Sequence, residues 1–170
     1  CRSGGTEFTE SAALPVRDQL KRELSRIRRK WPDAKAIAHF QSHTNTHAPV
    51  SRLRALFTEA LAVPGICGLS VATRADCLPP DVLDLLAELN GKTDLTVELG
   101  LQTIHEETAN RIHRCHSYAE FLSAYRALTQ RGIRVCIHLI NGLPGETEDM
   151  MLETASAVGL LRPGGVKIHL

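Results

Sequence analysis

The chain has 170 residues, about the size of one domain, and its 43% hydrophobic and 23% charged residues are ordinary for a folded globular protein. The formal net charge of +1 excludes a strong overall attraction to nucleic acid or to a membrane surface. No apolar run approaches the roughly 20 residues that span a bilayer, and no signal peptide opens the chain, so we expect a cytoplasmic location and no membrane partner. Because the five cysteines form no CxxC pair, a disulfide framework is not expected.

The first helical pattern is strongly basic. Residues 1–13 are small and polar and predict a loop. After Pro15, helical spacing predicts an amphipathic helix whose apolar stripe consists of Leu20, Leu24, Ile27 and Trp31, while Lys and Arg cover the other faces. Such a face either contacts the phosphates of a nucleic acid or is simply solvated, and solvation is the more ordinary case.

Strand and helix patterns then alternate to the end of the chain. Strands are predicted at 36–41, 67–73, 95–105, 133–141 and 166–170, and helices at 50–62, 79–90, 106–113, 118–130 and 148–161. This spacing is typical of βαβ units, so the crossovers should be right-handed and the sheet parallel. Thr147 is expected to cap the last helix.

The pattern at 95–105 is the most informative strand. Alternation places Val97, Leu99 and Leu101 on one face and Glu98, Gly100 and Gln102 on the other. A fully buried parallel strand is normally apolar on both faces, so the polar side chains need partners. Either a polar ligand fills a cavity beside them, or Glu98 pairs with an arginine such as Arg74 and only stabilises the sheet.

The sheet is predicted to curl. A βαβ array either opens as a doubly wound sheet or closes toward a barrel, and two observations favour closure. One is the polar row on the strand at 95–105; the other is a row of small residues, Gly68, Ser70 and Ala72, on the strand at 67–73. In either architecture the functional residues belong at the carboxyl ends of the strands.

Several familiar site patterns are absent or weak. His39, His43 and His47 have helical spacing for a zinc site, but their flanks are poor helix formers and His39 sits in a strand pattern. The chain has no G-x-S-x-G turn, no P-loop and no G-x-G-x-x-G after a first strand. A Ser/His/Asp hydrolase and a nucleotide-binding fold are therefore not indicated.

Four segments at strand ends together resemble the radical S-adenosylmethionine (SAM) enzymes, in the YhcC/YtqA branch related to the elongator catalytic subunit. In chain order they are 40–46 (FQSHTNT), 70–76 (SVATRAD), 97–103 (VELGLQT) and 138–147 (HLINGLPGET). The resemblance implies an α/β fold, a partial (β/α)6 TIM-like barrel of parallel strands truncated at both ends, with residues 1–170 as the radical SAM core domain. It also implies a [4Fe-4S] cluster and reductive cleavage of SAM to a 5′-deoxyadenosyl radical.

The same resemblance assigns candidate roles to individual residues. Cys1 would be the third cysteine ligand of the cluster, although the first strand and the other two ligands of the family pattern are absent from this sequence. SAM would be held at its amino group by Gln41 and Asn45, at its carboxylate by Thr73 and Arg74, at its ribose by Glu98 with Gln102, and at its adenine by the backbone from His138 to Gly142. The alternative for each is a structural hydrogen bond.

Partners follow from the resemblance as well. The elongator branch suggests tRNA as substrate, with modification of the wobble uridine, and reductive chemistry requires an electron donor such as flavodoxin or ferredoxin. We expect the fragment by itself to be inactive. Two other classes stay open from the sequence: a non-redox (β/α) barrel enzyme such as an aldolase or hydrolase, and an RNA-binding module that works through the basic helix.

Overall fold

A computed structural model describes residues 14–41 and 43–170. Its strands are β1 (Ala36–Phe40), β2 (Ile66–Thr73), β3 (Asp94–Gln102), β4 (Arg134–Ile140) and β5 (Gly165–His169). Its α-helices are α1 (Val16–Arg28), α2 (Val50–Leu61), α3 (Pro80–Asn90), α4 (Glu106–Arg111), α5 (Tyr118–Thr129) and α6 (Glu148–Leu161). A short 3-10 turn (Ala75–Cys77) precedes α3. The predicted alternation of strand and helix is confirmed.

The five strands form one parallel sheet in the order β1-β2-β3-β4-β5. Every crossover steps in the same direction, so right-handed connections put all the helices on one face of the sheet. A doubly wound sheet would reverse its strand order and carry helices on both faces. The sheet instead curls into a half-barrel, which confirms the predicted partial TIM-like barrel.

The face of the sheet that meets the helices is the hydrophobic core. Along β3 the buried residues are every second one, and Val97, Leu99 and Leu101 are completely buried. Phe57 of α2 and Phe121 of α5 pack in the same cluster. The alternation predicted for this strand is therefore confirmed. Truncating a side chain such as Leu99 to alanine would cost about 2–5 kcal/mol, because the close-packed neighbours relax only partly into the cavity.

Helix α1 packs through fewer residues than its sequence pattern predicts. Leu24 is buried and Leu20 contacts the core, but Trp31 lies beyond the end of the helix and is 56% exposed. The prediction that Trp31 continues the apolar stripe is wrong. Because the helix stops at Arg28 and Pro32 follows, the helical spacing no longer applies at Trp31.

Local capping explains where the later helices begin. The Ser117 side chain accepts a hydrogen bond from the backbone N–H of Glu120, and the Glu120 carboxylate accepts one from the N–H of Ser117. Thr147 caps α6 as predicted, since its Oγ1 accepts from the N–H of Met150 at 3.3 Å. Among all the described helices, none is both long and apolar enough to cross a membrane.

Candidate functional site

On the concave inner face of the sheet, polar side chains from all four of the other strands surround the carboxylate of Glu98 on β3. Oε1 of Glu98 accepts a 2.7 Å hydrogen bond from Ser70 and lies 3.1 Å from Nε2 of His39. Oε2 lies 2.7 Å from Nε2 of His138 and 3.4 Å from Nζ of Lys167. These five residues, called the Glu98 cluster below, join β1, β2, β3, β4 and β5 around one side chain.

Strand register explains why these side chains meet. Ala72 of β2 is paired with Glu98, so Ser70, two residues earlier, lies on the same face. On the other side of β3, His138 is paired with Gly100 and also with Lys167 of β5. Side chains two positions apart share a face, and the inner face therefore collects polar residues while the helix face stays apolar.

The carboxyl group of Glu98 is held ionised by this environment. Burial acts to raise its pKa, but the Ser70 hydrogen bond and the nearby cationic groups together lower the pKa below its usual value. The alternative pairing with Arg74 does not occur, because Arg74 pairs with Asp76 instead. Glu98 is thus a partly buried charge that is compensated within the sheet by Ser70 and its other neighbours rather than by Arg74.

His138 is a neutral neighbour of this carboxylate at neutral pH. Burial lowers the pKa of its imidazole, Glu98 opposes that shift, and Lys167 adds to it. The 2.7 Å contact to Glu98 is close, but Nε2 has no partner in good hydrogen-bond geometry. The His169 ring lies 5.6 Å away from the His138 ring, centroid to centroid, and extends the polar surface toward the sheet edge.

Two predicted site residues at the carboxyl end of β2, Thr73 and Arg74, lie on opposite sides of the sheet. Arg74 donates from Nε to Asp76 Oδ1 at 3.0 Å and pairs through Nη2 with the second oxygen, so its fork is occupied by a neighbouring carboxylate. Thr73 is buried on the helix side, where its hydroxyl lies 2.5 Å from that of Thr46. Thr46 in turn donates to the carbonyl of Cys77 at 2.5 Å.

Asn45 ties the loop after β1 to the end of β2. Its side-chain amide donates to the carbonyls of Phe40, at 3.1 Å, and Ala72, at 3.0 Å, and its backbone N–H also donates to Ala72. Gln41, which follows β1 directly, is exposed at the same end of the sheet. The amide of Asn45 therefore has a structural role, and Gln41 is accessible to a ligand.

Gln102 ends β3 in an unusual conformation. The ladder to β4 is irregular between Gly100 and Gln102, and Gln102 has a φ of +64°. Its side chain folds back over Gly100, where a Cβ would lie 2.6 Å from Nε2 of Gln102. A side chain at position 100 would thus force this amide to move away.

The turn after β4 is held in place by α4, the helix that follows β3 in the chain. Gly142 has a φ of +74°, and its N–H lies 3.2 Å from the sulfur of Met151. Arg111 of α4 donates to the carbonyl of Pro144 at 2.7 Å, and its guanidinium lies directly against Gly145, whose φ is +86°. The turns that follow β3 and β4 are therefore connected.

The structure brings some predicted residues into contact and leaves others apart. Glu98 and His138 touch, whereas Gln41, Asn45, Arg74, Gln102 and Gly142 are distributed over the carboxyl ends of β1 to β4. His39, Ser70 and Lys167 were not among the predicted site residues, although they complete the Glu98 cluster. Alternation was the signal that could have found them, because each lies on the polar side of its strand.

The described residues contain no set of ligands for an iron–sulfur cluster. Cys1 lies outside them, and within residues 14–41 and 43–170 no group of three or more His, Cys, Asp or Glu side chains fits a metal ion. Cys67, Cys77, Cys115 and Cys136 are free and lie on separate elements. His39 lies in β1, so it does not share a helix face with His43 and His47.

Comparison with known proteins identifies the family of this chain. A family model described as the radical SAM superfamily matches residues 1–158. YtqA of Bacillus subtilis (strain 168) is 56% identical over 168 residues, 99% of this chain and 52% of YtqA. YhcC of Escherichia coli (strain K12) is 39% identical over 155 residues, 91% of this chain and 49% of YhcC. The chain thus spans about half the length of these curated relatives.

Two more distant similarities were found, one to a solved structure and one to a curated protein. The structure of the archaeal Elp3 of Methanocaldococcus infernus with an N-terminal deletion superposes with a TM-score of 0.71 at 20% identity, over 91% of this chain and 40% of that one. A tRNA uridine(34) acetyltransferase of Methanocaldococcus infernus is 30% identical over 82 residues, 48% of this chain and 15% of that protein. The first similarity shows a shared fold.

Members of the matched family bind a [4Fe-4S] cluster and SAM, and the match extends over nearly the whole chain, including the four strand-end segments. This favours the radical SAM hypothesis over a non-redox barrel enzyme. The chain belongs to the radical SAM superfamily, in the branch that contains YtqA and YhcC.

Proposed function

We propose that this chain, as a single core domain over residues 1–170, binds SAM across the carboxyl ends of β1 to β4 and supports its reductive cleavage. One observation carries the proposal: Glu98 and His138, two of the residues assigned to SAM, meet on the concave face of the sheet, and the other assigned residues except the helix-side Thr73 lie around the carboxyl ends of β1 to β4, in a chain that the family model matches through residue 158. Parallel barrels place their reactive chemistry at this end of the strands.

The donors and acceptors present match the groups of SAM. The Arg74 fork suits the SAM carboxylate, but it would have to leave Asp76 or share it. Glu98 suits the ribose hydroxyls. A carboxylate has about four acceptor positions, and of the four neighbours of Glu98 the Nε2 of His138 is not in good hydrogen-bond geometry, so a ribose hydroxyl would take the position that His138 leaves open. The remaining contacts would keep the carboxylate in place.

The ligands of the [4Fe-4S] cluster would come from outside the described residues. Cys1 supplies one thiolate, and the four cysteines on separate elements supply no suitable set. When bound and reduced, a [4Fe-4S] cluster supplies the electron that cleaves SAM to methionine and a 5′-deoxyadenosyl radical. This chain's own residues bind and orient SAM for that step. An electron donor such as flavodoxin or ferredoxin, and a cytoplasmic location, stay predictions.

The test is anaerobic reconstitution of the intact protein with iron and sulfide, followed by reduction with dithionite in the presence of SAM. We expect 5′-deoxyadenosine to form, and to be lost in Cys1→Ala but not in Cys67→Ala, since Cys67 is exposed near the opposite end of the sheet. If the intact wild-type protein binds no iron after reconstitution and cleaves no SAM, the proposal is contradicted.

For the substrate we propose tRNA, modified at the wobble uridine. The support is the similarity to a protein named tRNA uridine(34) acetyltransferase, which covers 48% of this chain. The experiment compares nucleosides of bulk tRNA from cells with and without the gene by mass spectrometry. A wobble-uridine nucleoside that disappears with the gene and returns with the wild-type copy supports this substrate, and an unchanged nucleoside profile contradicts it.

A further inference from the structure

The positive charge of this chain is concentrated in one segment. Residues 17–35 contain eight Lys and Arg side chains against three Asp and Glu, a net charge of +5, whereas the whole chain has +1. The other 151 residues are therefore net acidic by four charges. Such an asymmetry produces a local positive field that the overall charge conceals.

These cations line an open groove along α1. Lys21, Arg28 and Arg29 border a hollow of about 540 Å³ whose floor is Leu24, Val63 and Pro64. A second hollow of about 510 Å³ continues it past Arg22 and Arg26. Together the two hollows are called the α1 groove. From Lys21 to Arg29 the cations extend along about 12 Å of helix, at 1.5 Å per residue.

Part of this positive charge is not neutralised by the surface around it. Arg26 pairs with Glu23 at 2.8 Å, and Arg28 donates to the carbonyl of Pro64. Within the part of the chain that the structure describes, Lys21 and Arg29 form no ion pair, and both are exposed. Their ammonium and guanidinium groups are thus available to an anion.

An exposed aromatic ring follows α1 in the chain, two residues after Arg29. Trp31, the single tryptophan of the chain, is 56% exposed, and the ammonium of Lys30 lies 4.5 Å from its ring centroid. An accessible indole beside a row of cations matches the surfaces that bind nucleic acid, in which cations follow the phosphates and aromatic rings stack on bases.

The packing of α1 argues against a lipid surface. A membrane-binding amphipathic helix needs an apolar face available to the acyl chains. In this structure the apolar side of α1 is already used, since Leu24 is 5% exposed and Leu20 packs against the core. The cations and the Trp31 ring remain outside, and a dense polyanion with unpaired bases is the partner that they fit.

The α1 groove lies away from the proposed SAM site. Arg28 contacts Pro64 and Gly65, which immediately precede β2, so the groove is at the amino ends of the strands. The residues assigned to SAM are at the carboxyl ends. Substitutions in the groove can therefore change the binding of a macromolecule without touching SAM.

We propose that the α1 groove binds the phosphate backbone of RNA and so docks the tRNA substrate; the identity of that RNA rests on the proposed function. Phosphates contact Lys21 and Arg29 along the helix, and an unpaired base stacks on Trp31. The groove provides affinity and orientation, while the chemistry takes place at the other end of the barrel.

The test measures binding of bulk tRNA to the intact protein at several salt concentrations, for wild type, Lys21→Gln/Arg29→Gln and the control Arg52→Gln/Arg126→Gln. The control pair is also exposed, lies on α2 and α5, and changes the net charge equally. We expect the groove variant to bind tRNA roughly tenfold more weakly and to lose about one to two units of the salt slope. The control should stay within about twofold of wild type.

Equal losses in both variants, or no loss in the groove variant, would overturn the proposal. So would groove-dependent binding to vesicles of phosphatidylserine and phosphatidylcholine without binding to tRNA. Formation of 5′-deoxyadenosine without RNA is measured in parallel and should be unchanged in the groove variant. If wild type forms none, the proposed chemistry fails, while the salt-dependent binding still decides the role of the groove.

Discussion

Ser70 and Glu98 form a 2.7 Å hydrogen bond across β2 and β3, and this bond sets the state of the central carboxylate. The hydroxyl is the donor, so it stabilises the ionised form, in opposition to the burial that acts to raise the pKa of Glu98. A small residue on the polar side of β2 thereby allows a charge to remain inside the sheet.

Ser70→Ala should therefore destabilise the fold and raise the pKa of Glu98. Loss of a hydrogen bond to a charged group costs about 1.5–3 kcal/mol. The free energy of unfolding is measured by urea denaturation at neutral pH. The matched control is Ser156→Ala, because Ser156 is exposed on α6 and donates only to Leu152 within its own helix. The control should change stability by less than about 0.5 kcal/mol. Equal effects of the two substitutions would contradict the role given to Ser70.

His138 should make the fold less stable in mild acid. Its folded pKa is lowered, chiefly by burial, so below the usual value of 6.5 the unfolded chain binds more protons than the folded chain. Stability then rises with pH through that range, by at most about 1.4 kcal/mol per pH unit for one proton. His138→Asn should reduce this slope between pH 5 and 7.

The control for that measurement is His113→Asn, because His113 is exposed and its φ of +54° is one that asparagine adopts readily. Part of the slope should persist in His138→Asn, since burial also lowers the pKa of His116. Glu98, whose pKa is lowered from 4.5, adds a second loss of stability at more acidic pH. An unaltered slope in His138→Asn would show that His138 is protonated equally in both states.

Asn45→Ala should loosen the joint between β1 and β2. The substitution leaves the carbonyls of Phe40 and Ala72 without the side-chain amide, at a cost of about 1–3 kcal/mol. Asn90→Ala is the control, because the Asn90 amide makes a single exposed contact to the carbonyl of Gly132. Hydrogen exchange of β1 amides should accelerate only in Asn45→Ala. If the two variants are equally stable, the amide of Asn45 is not a structural tie.

The sequence predicted the fold well because its signals were local and repeated. The alternation of Val97, Leu99 and Leu101 with Glu98 survives in the structure, since a one-residue slip would bury the wrong face. Trp31 was wrongly assigned to the apolar stripe of α1, because periodicity alone does not locate the residue at which the helical backbone ends.

The composition of the Glu98 cluster could be predicted only in part. Glu98 and His138 were identified, but their contact depends on the pairing of two strands that are distant in sequence. Arg74 was one alternative partner of Glu98, but Asp76 is only two residues from Arg74 and pairs with its guanidinium instead. Lys167 belongs to the last strand, where alternation with Val166 and Ile168 indicates its face of the sheet but not its contact with Glu98.

Arg111→Met should weaken SAM binding with little loss of stability. Without the 2.7 Å hydrogen bond to Pro144, the turn that contains Gly142 is no longer fixed to α4, and affinity should fall roughly tenfold. Calorimetric titration of SAM measures this, with Arg126→Met as the control because Arg126 is an exposed residue of α5. An unchanged affinity would separate the turn from SAM binding.

Gly145→Ala tests the same contact from the other side. Its φ of +86° and the Arg111 guanidinium both oppose a side chain at this position. Because the guanidinium is absent in Arg111→Met, the alanine should cost less stability in that background than in wild type, so the two changes should be less than additive. Strict additivity would mean that only the φ matters.

Gln102 offers a way to separate a backbone role from a side-chain role. Its φ of +64° strains any residue but glycine, so Gln102→Gly should be as stable as wild type or up to about 1 kcal/mol more stable, whereas Gln102→Ala keeps the strain. If the amide itself contacts SAM, both variants should lose SAM affinity to the same extent. The control is Arg162→Gly, since Arg162 has a φ of +52° at the end of α6 and should gain stability without a change in SAM affinity. Full SAM affinity in Gln102→Gly would assign the role of this position to the bulge and exclude the side chain.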